Sequence, residues 1–189
     1  MRKIVLLIIL CMVLKQPLWA QTSSKDQTAI KTTITHFYQW YNVHWKKINA
    51  FKLYRPKKGD APPYTIDWKQ VQLYFAFIKK NVPQLGNAFI ENERQYFKNA
   101  QKQFDQSPEE EIAIGFDYDR FTNTQEEPQY VVPEILNKKR RWKINIDKNT
   151  AIVYIYHLES DKESDKDIIE LTKEKGVWTI AKCITTFSE

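Results

Sequence analysis

Apolar residues at helical spacing mark the first ordered part of the chain. Ile30, Ile34, Phe37, Tyr41, Trp45 and Ile48 recur every three or four positions, which places them on one stripe of a helix over about 26–49. Tyr38 and Trp40 widen that stripe with aromatic surface suited to a core. Residues 50–66 then lose any period. Pro56, Pro62, Pro63 and Gly59 argue against a helix or a central strand, so the segment reads as irregular. Asp67, followed three residues later by Gln70, has the form of a capping box. It opens a helix whose apolar face is Trp68, Val71, Phe75 and Ile78, and which closes on Lys79-Lys80. Pro83 is placed to start a third helix running to about 104. Its stripe is Leu85, Phe89, Tyr96, Ala100 and Phe104, with Glu91, Glu93, Arg94 and Lys98 mostly outside it.

Beyond a charged connection at 105–111 the period changes from helical to alternating. Ile112 and Ile114 alternate briefly towards Gly115, and a polar stretch over 117–139 is interrupted by Pro128 and Pro133. Trp142, Ile144 and Ile146 alternate up to a turn at Asp147-Lys148-Asn149-Thr150, and a β-branched and aromatic run covers 151–158. After a charged loop at 160–166, segments 168–171 and 177–187 pair around Lys175-Gly176 as a hairpin. Helices first and an antiparallel meander afterwards make an α+β fold, with the aromatic first helix covering one face of the sheet.

The extreme N-terminus belongs to none of this. Met1-Arg2-Lys3 is positive, residues 4–14 are an unbroken apolar run of 11, and Lys15 to Ala20 is a polar stretch ending in a small residue. That order is a secretory signal peptide over 1–20, cut before Gln21, and its apolar run is too short to span a bilayer. A lipoprotein lipidated at Cys11 is the competing reading, but bulky Leu10 precedes that cysteine. The expectation is a periplasmic or secreted protein in which 21–189 forms one domain with no transmembrane segment.

The leader alters the charge and the cysteine count. The chain carries 29 Lys+Arg and 23 Asp+Glu, a net +6, and without Arg2, Lys3 and Lys15 the excess falls to +3. Such an excess is too small to argue for nucleic acid. Only Cys183 of the two cysteines remains, so the domain has no internal disulfide and no thiolate metal cage. Four scattered glycines exclude a phosphate-cradling loop. No catalytic constellation is recognisable and no cofactor is expected.

Candidate chemistry concentrates in Asp117-Tyr118-Asp119-Arg120-Phe121-Thr122-Asn123-Thr124-Gln125-Glu126. Asp117 and Asp119 alternate, and with Asn123 or Glu126 they offer oxygen ligands of the kind calcium takes, although the spacing departs from an EF-hand. Two close carboxylates also suit acid–base work, with His157 as a partner. The structural alternative is that they satisfy the backbone of a tight loop. Tyr64, Tyr118 and Tyr130 fall in loops and are candidate interface anchors. Lys138-Lys139-Arg140-Arg141 is the strongest basic run, read as a solvated loop or as a contact for anionic lipid, glycan or an acidic protein.

Phe37-Tyr38-Gln39-Trp40-Tyr41, Ile66-Asp67-Trp68, Tyr74-Phe75-Ala76-Phe77-Ile78-Lys79-Lys80, the acidic loop and Gly176-Val177-Trp178-Thr179-Ile180 together resemble a family of bacterial envelope proteins, domain of unknown function 3828. This chain has Arg120 where that pattern has proline and Glu126 where it has aspartate. The resemblance implies a cystatin-like or nuclear-transport-factor-two-like cone, a curved sheet around a long helix, and brings no activity with it. The functional expectation is a non-enzymatic module binding a protein, a peptide or a cell-wall component. The alternatives are a small-molecule enzyme or carrier with a pocket between helix and sheet, and an inhibitor or immunity protein.

Overall fold

A computed structural model describes residues 18–109, 116–158 and 166–186. The expected leader therefore lies outside the described residues over 1–17, as do the alternation at Ile112 and Ile114 and most of the charged loop at 160–166. Helix α1 (Leu18–Asn49) takes in 18–20 and carries the anticipated stripe, with Ile30, Ile34, Phe37, Tyr38, Tyr41 and Ile48 all buried. Its polar residues fix it to the sheet. Asp26 Oδ1 accepts from Lys173 Nζ at 2.7 Å and from Trp178 Nε1 at 2.9 Å, and Thr33 Oγ1 donates to the Trp178 carbonyl at 3.1 Å.

The segment expected to be irregular is instead a ribbon of β1 (Tyr54–Lys58) and β2 (Ala61–Ile66), turning at Gly59 with φ +66°. Prolines are tolerated because each strand has a single partner, so one side of the backbone needs no ladder donor. Helix α2 (Trp68–Asn81) starts where the capping pattern places it, with Asp67 Oδ1 accepting from the amides of Lys69 and Gln70 at 3.1 Å.

Helix α3 (Asn87–Gln106) starts four residues after Pro83, because residues 84–86 lie alongside the last strand. Ile180 donates to the Gln84 carbonyl at 2.7 Å and accepts from Gly86 at 3.2 Å. Gly86 provides no side-chain cap. The carboxylate of Glu174 reaches across instead, accepting from Ala88 N at 3.2 Å and Asn87 Nδ2 at 2.9 Å. Those hydrogen bonds to the open helix end outweigh desolvation and hold the Glu174 carboxyl below its ordinary pKa. A further helix, α4 (Pro128–Ile135), occupies the stretch read as broken. Pro128 sits in its first turn, where a missing N–H costs nothing, and Val132 and Ile135 bury its inner side.

The sheet is an antiparallel meander of β3 (Trp142–Asp147), β4 (Thr150–Tyr156), β5 (Lys166–Glu174) and β6 (Val177–Thr186), in that spatial order. Lys175 and Gly176, at φ +49° and +84°, make the β5–β6 turn. Ala151, Val153, Ile155, Ile169, Leu171 and Ile180 bury the inner face in one core with the aromatic residues of α1, α2 and α3. The α+β arrangement is as the hydrophobic pattern anticipates. Among the described residues no helix is long and apolar enough to cross a membrane.

Candidate functional site

The acidic loop is organised by one carboxylate. Asp119 Oδ1 accepts from the amides of Phe121 and Thr122, both at 3.0 Å, and from Thr122 Oγ1 at 3.1 Å. Its Oδ2 accepts from the Tyr41 hydroxyl of α1. The backbone closes around it, with Asp119 N donating to Thr124 O at 2.8 Å and Asn123, at φ +50°, donating to Asp119 O at 2.7 Å. Phe121 locks the loop from below, buried beside Phe37, Tyr41 and Phe89 at ring separations of 5.2, 4.7 and 5.6 Å. Burial, then the Asp119 charge, raises the Tyr41 pKa far above its ordinary value, so this phenol stays a donor. Both Asp119 oxygens thus accept from donors of the protein itself, in the loop and on α1. Among the described residues no group of three or more His, Cys, Asp or Glu is placed to hold a metal.

Arg120 leaves the loop on the opposite side. Its Nη2 donates to Glu93 Oε1 at 2.5 Å and its guanidinium lies 3.6 Å from the Tyr96 ring centroid, while the Tyr74 hydroxyl donates to Glu93 Oε2 at 3.4 Å. Glu93, expected outside the α3 stripe, is thus buried inside it as the partner of this arginine. Burial would lower the Arg120 pKa, but the charge and hydrogen bond of Glu93 outweigh it and raise the value. The pair anchors the loop to α3.

With the loop fixed, Tyr118 projects outward and is 48% exposed. It forms part of a cleft of about 750 Å³ whose other walls are α4, through Tyr130 and Glu134, and the end of β4, through His157 and Leu158. Tyr130 and Leu158 are 66% and 44% exposed. Asn123, Thr124, Gln125 and Glu126 edge the cleft with amide, hydroxyl and carboxylate groups. A second cleft, of about 520 Å³, lies on the other side of Tyr118 and takes in Asp117, Glu127 and the aromatic rings of Trp45, Phe51 and Phe116.

Beneath the first cleft Arg140 Nη1 donates to Asp167 Oδ2 at 2.8 Å, with both side chains nearly inaccessible. Arg140 is therefore no solvated member of its run. The backbone turns it under the sheet while Lys138 and Lys139 remain exposed, and Arg141 stacks 3.8 Å from the Tyr156 ring centroid on the other side. His157 Nε2 stands 3.5 Å from the same Asp167 oxygen. Tyr64 is not an outward anchor. It is half-buried in β2 against Tyr54 and Phe104, at 5.6 and 6.0 Å.

Of the sequence candidates, Tyr118, Asn123, Glu126, Tyr130, Arg140 and His157 meet at one cleft, and Asp117 borders the second. Asp167, Glu134 and Glu93 escaped sequence reasoning. Asp167 had a legible signal, since it occupies the same alternating phase as Ile169 and Leu171, where an isolated carboxylate demands a buried cation. No family model matches the chain, no curated protein matches it, and no solved structure matches its fold.

Proposed function

We propose that this protein is an exported binding module that holds a peptide or cell-wall component in the cleft between the acidic loop, α4 and the end of β4. The observation that carries the reading is the convergence of Tyr118, Tyr130 and Leu158 on that one cleft. Three large, exposed apolar side chains sit beside a rim of hydrogen-bonding groups, the composition expected of a recognition pocket. The walls are held by contacts that need no ligand: the Asp119 hub on one side and the Arg140–Asp167 pair on the other. Such a preformed site orders little on binding, which favours affinity. The likeness to the bacterial envelope family and the leader-like N-terminus support an envelope location.

The test is amide NMR with a pool of short synthetic peptides and soluble muropeptides as probes. Shifts should gather at Tyr118, Gln125, Tyr130 and Glu134, and Tyr118→Ala with Tyr130→Ala should weaken binding tenfold or more, about 1.4 kcal/mol. Shifts scattered over the surface, or affinity indifferent to both substitutions, overturn the proposal. A second reading, a small-molecule enzyme or carrier, is favoured by His157 lying beside Asp167 in the same cleft. It requires turnover that His157→Gln abolishes.

A further inference from the structure

The two edges of the four-stranded sheet are finished differently. Along β6, residues 84–86 run beside Ile180 and Asn92 Nδ2 donates to the Ala181 carbonyl, so that edge is sheltered. At the other end β3 has β4 as its one partner among the described residues. Tyr156 N donates to the Arg141 carbonyl at 3.0 Å, which makes these two a hydrogen-bonded pair. Such pairs alternate, so Lys143, Asn145 and Asp147 bond to β4, and the N–H and C=O groups of Trp142, Ile144 and Ile146 point outward. Among the described residues no segment pairs with those groups. The strand has no proline, glycine or bulge to blunt it. Its inward-phase side chains are also incompletely covered. Trp142, Ile144 and Ile146 are half-buried, whereas Ile155, Val153 and Ala151 opposite them are fully buried. On the other face Lys143 and Asp147 are exposed, and neither has an ion partner among the described residues. Four residues of extended strand hold them about 13 Å apart, too far to pair with each other.

We propose that this edge pairs with the same edge of a second copy of the chain, β3 antiparallel to β3 about a two-fold axis through Asn145. In that register Lys143 stands opposite the partner's Asp147, and Asp147 opposite the partner's Lys143, so both charges are matched. Ile144 and Ile146 meet the partner's Ile146 and Ile144 on the core side of the sheet. Their outward N–H and C=O groups fall in the phase that a continued ladder requires. Trp142 comes opposite the partner's Lys148, and nowhere along the strand do like charges meet. Other arrangements lose these matches. Parallel pairing in register sets Lys143 against the partner's Lys143 and Asp147 against the partner's Asp147. A slip of one residue turns the apolar side to the wrong face, and a slip of two separates the ion pairs. With the β6 edge sheltered, the assembly closes at two chains. One short strand buries little area, so monomer and dimer exchange with concentration. None of residues 142–147 lines either cleft, so the pairing stands or falls independently of the cleft.

The experiment is sedimentation velocity of the mature protein from about 1 µM to about 1 mM, the range that brackets a small interface. A monomer–dimer equilibrium is the expected result. Lys143→Asp and Asp147→Lys should each weaken it about tenfold or more, because either one opposes like charges at both pairs. The exchange Lys143→Asp/Asp147→Lys rebuilds both pairs with their signs reversed and should restore the dimer. Both positions are exposed, and circular dichroism of the variants checks that the fold is kept. Amide hydrogen exchange of the unaltered chain gives a second readout. The amides of Ile144 and Ile146 should gain protection as the concentration rises, while those of Lys143 and Asn145 are protected throughout. A monomer at every concentration overturns the proposal. So does a dimer that the single reversals leave intact or that the exchange of charges fails to restore. Protection of Ile144 and Ile146 that appears only on adding a pool of short peptides would assign the edge to a foreign strand and equally overturn it.

Discussion

Asp119 shows how much one carboxylate can organise. Its two oxygens take four donors, from three residues spread over α1 and its own loop, so removing it strands two amides and two hydroxyls together. Asp119→Ala should therefore cost roughly 3 kcal/mol and lower the melting temperature by roughly 6–12 °C. Tyr41→Phe, which removes a single donor, should cost about 1 kcal/mol. Adding calcium should leave the melting temperature unchanged, because the carboxylate is already committed to protein donors. A calcium-induced rise that Asp119→Ala abolishes would return this loop to the class of metal sites. The chemistry of the segment was legible in its residues, but its purpose was not. Whether aspartates bind a cation or close a loop depends on which donors the fold brings to them, and Tyr41 is 78 positions away.

At the scale of elements, what the pattern revealed and what it concealed divide by range. The first helix, the capped start of α2 and the meander were readable because apolar period and capping chemistry are local properties. Helix α4 was hidden by Pro133 and by the short length of its apolar side. The ribbon at 54–66 was hidden because its prolines spoil the alternation without spoiling an edge-only pairing. The start of α3 was misplaced because its cap comes from Glu174, 86 residues from Ala88. That junction carries a sharp expectation. A Cβ on Gly86 would overlap Thr179 Oγ1 and come within 2.8 Å of Thr179 Cβ. Gly86→Ala should then destabilise the protein by about 2–3 kcal/mol in urea unfolding, and Thr179→Ala in the same chain should recover part of it. An unchanged midpoint for Gly86→Ala would mean that α3 and β6 do not approach as closely as described.

For the whole molecule the decisive property is a core rich in phenols. Burial raises the pKa values of Tyr38, Tyr41 and Tyr74 above their ordinary value, so the folded state keeps these protons where the unfolded chain would release them. Their contribution is complete below pH ~10, where unfolded tyrosine is neutral, and is lost as the pH climbs from there towards the raised folded values. Above that point each should reduce stability by about 1.4 kcal/mol per pH unit. Urea unfolding monitored across the alkaline range should give a steep collapse, coincident with a cooperative rise in tyrosinate absorbance. A gradual titration of every tyrosine at its normal value, with structure retained, would contradict this account. The thiol of Cys183, pushed up to about 12 by burial, adds to the same loss.

The position of β6 in the chain has a consequence for how the molecule is made. This strand closes the turn with β5, supplies Trp178 to the Asp26 anchor of α1, runs beside residues 84–86, and accepts at the Ala181 carbonyl from Asn92 of α3 at 2.9 Å. All four described helices emerge during synthesis before the strand that α1 and α3 lean on exists. The aromatic faces of α1 and α3 lack this part of their shelter until β6 arrives, so the domain does not mature helix by helix. A nascent chain short of β6 is a natural client for a holding chaperone.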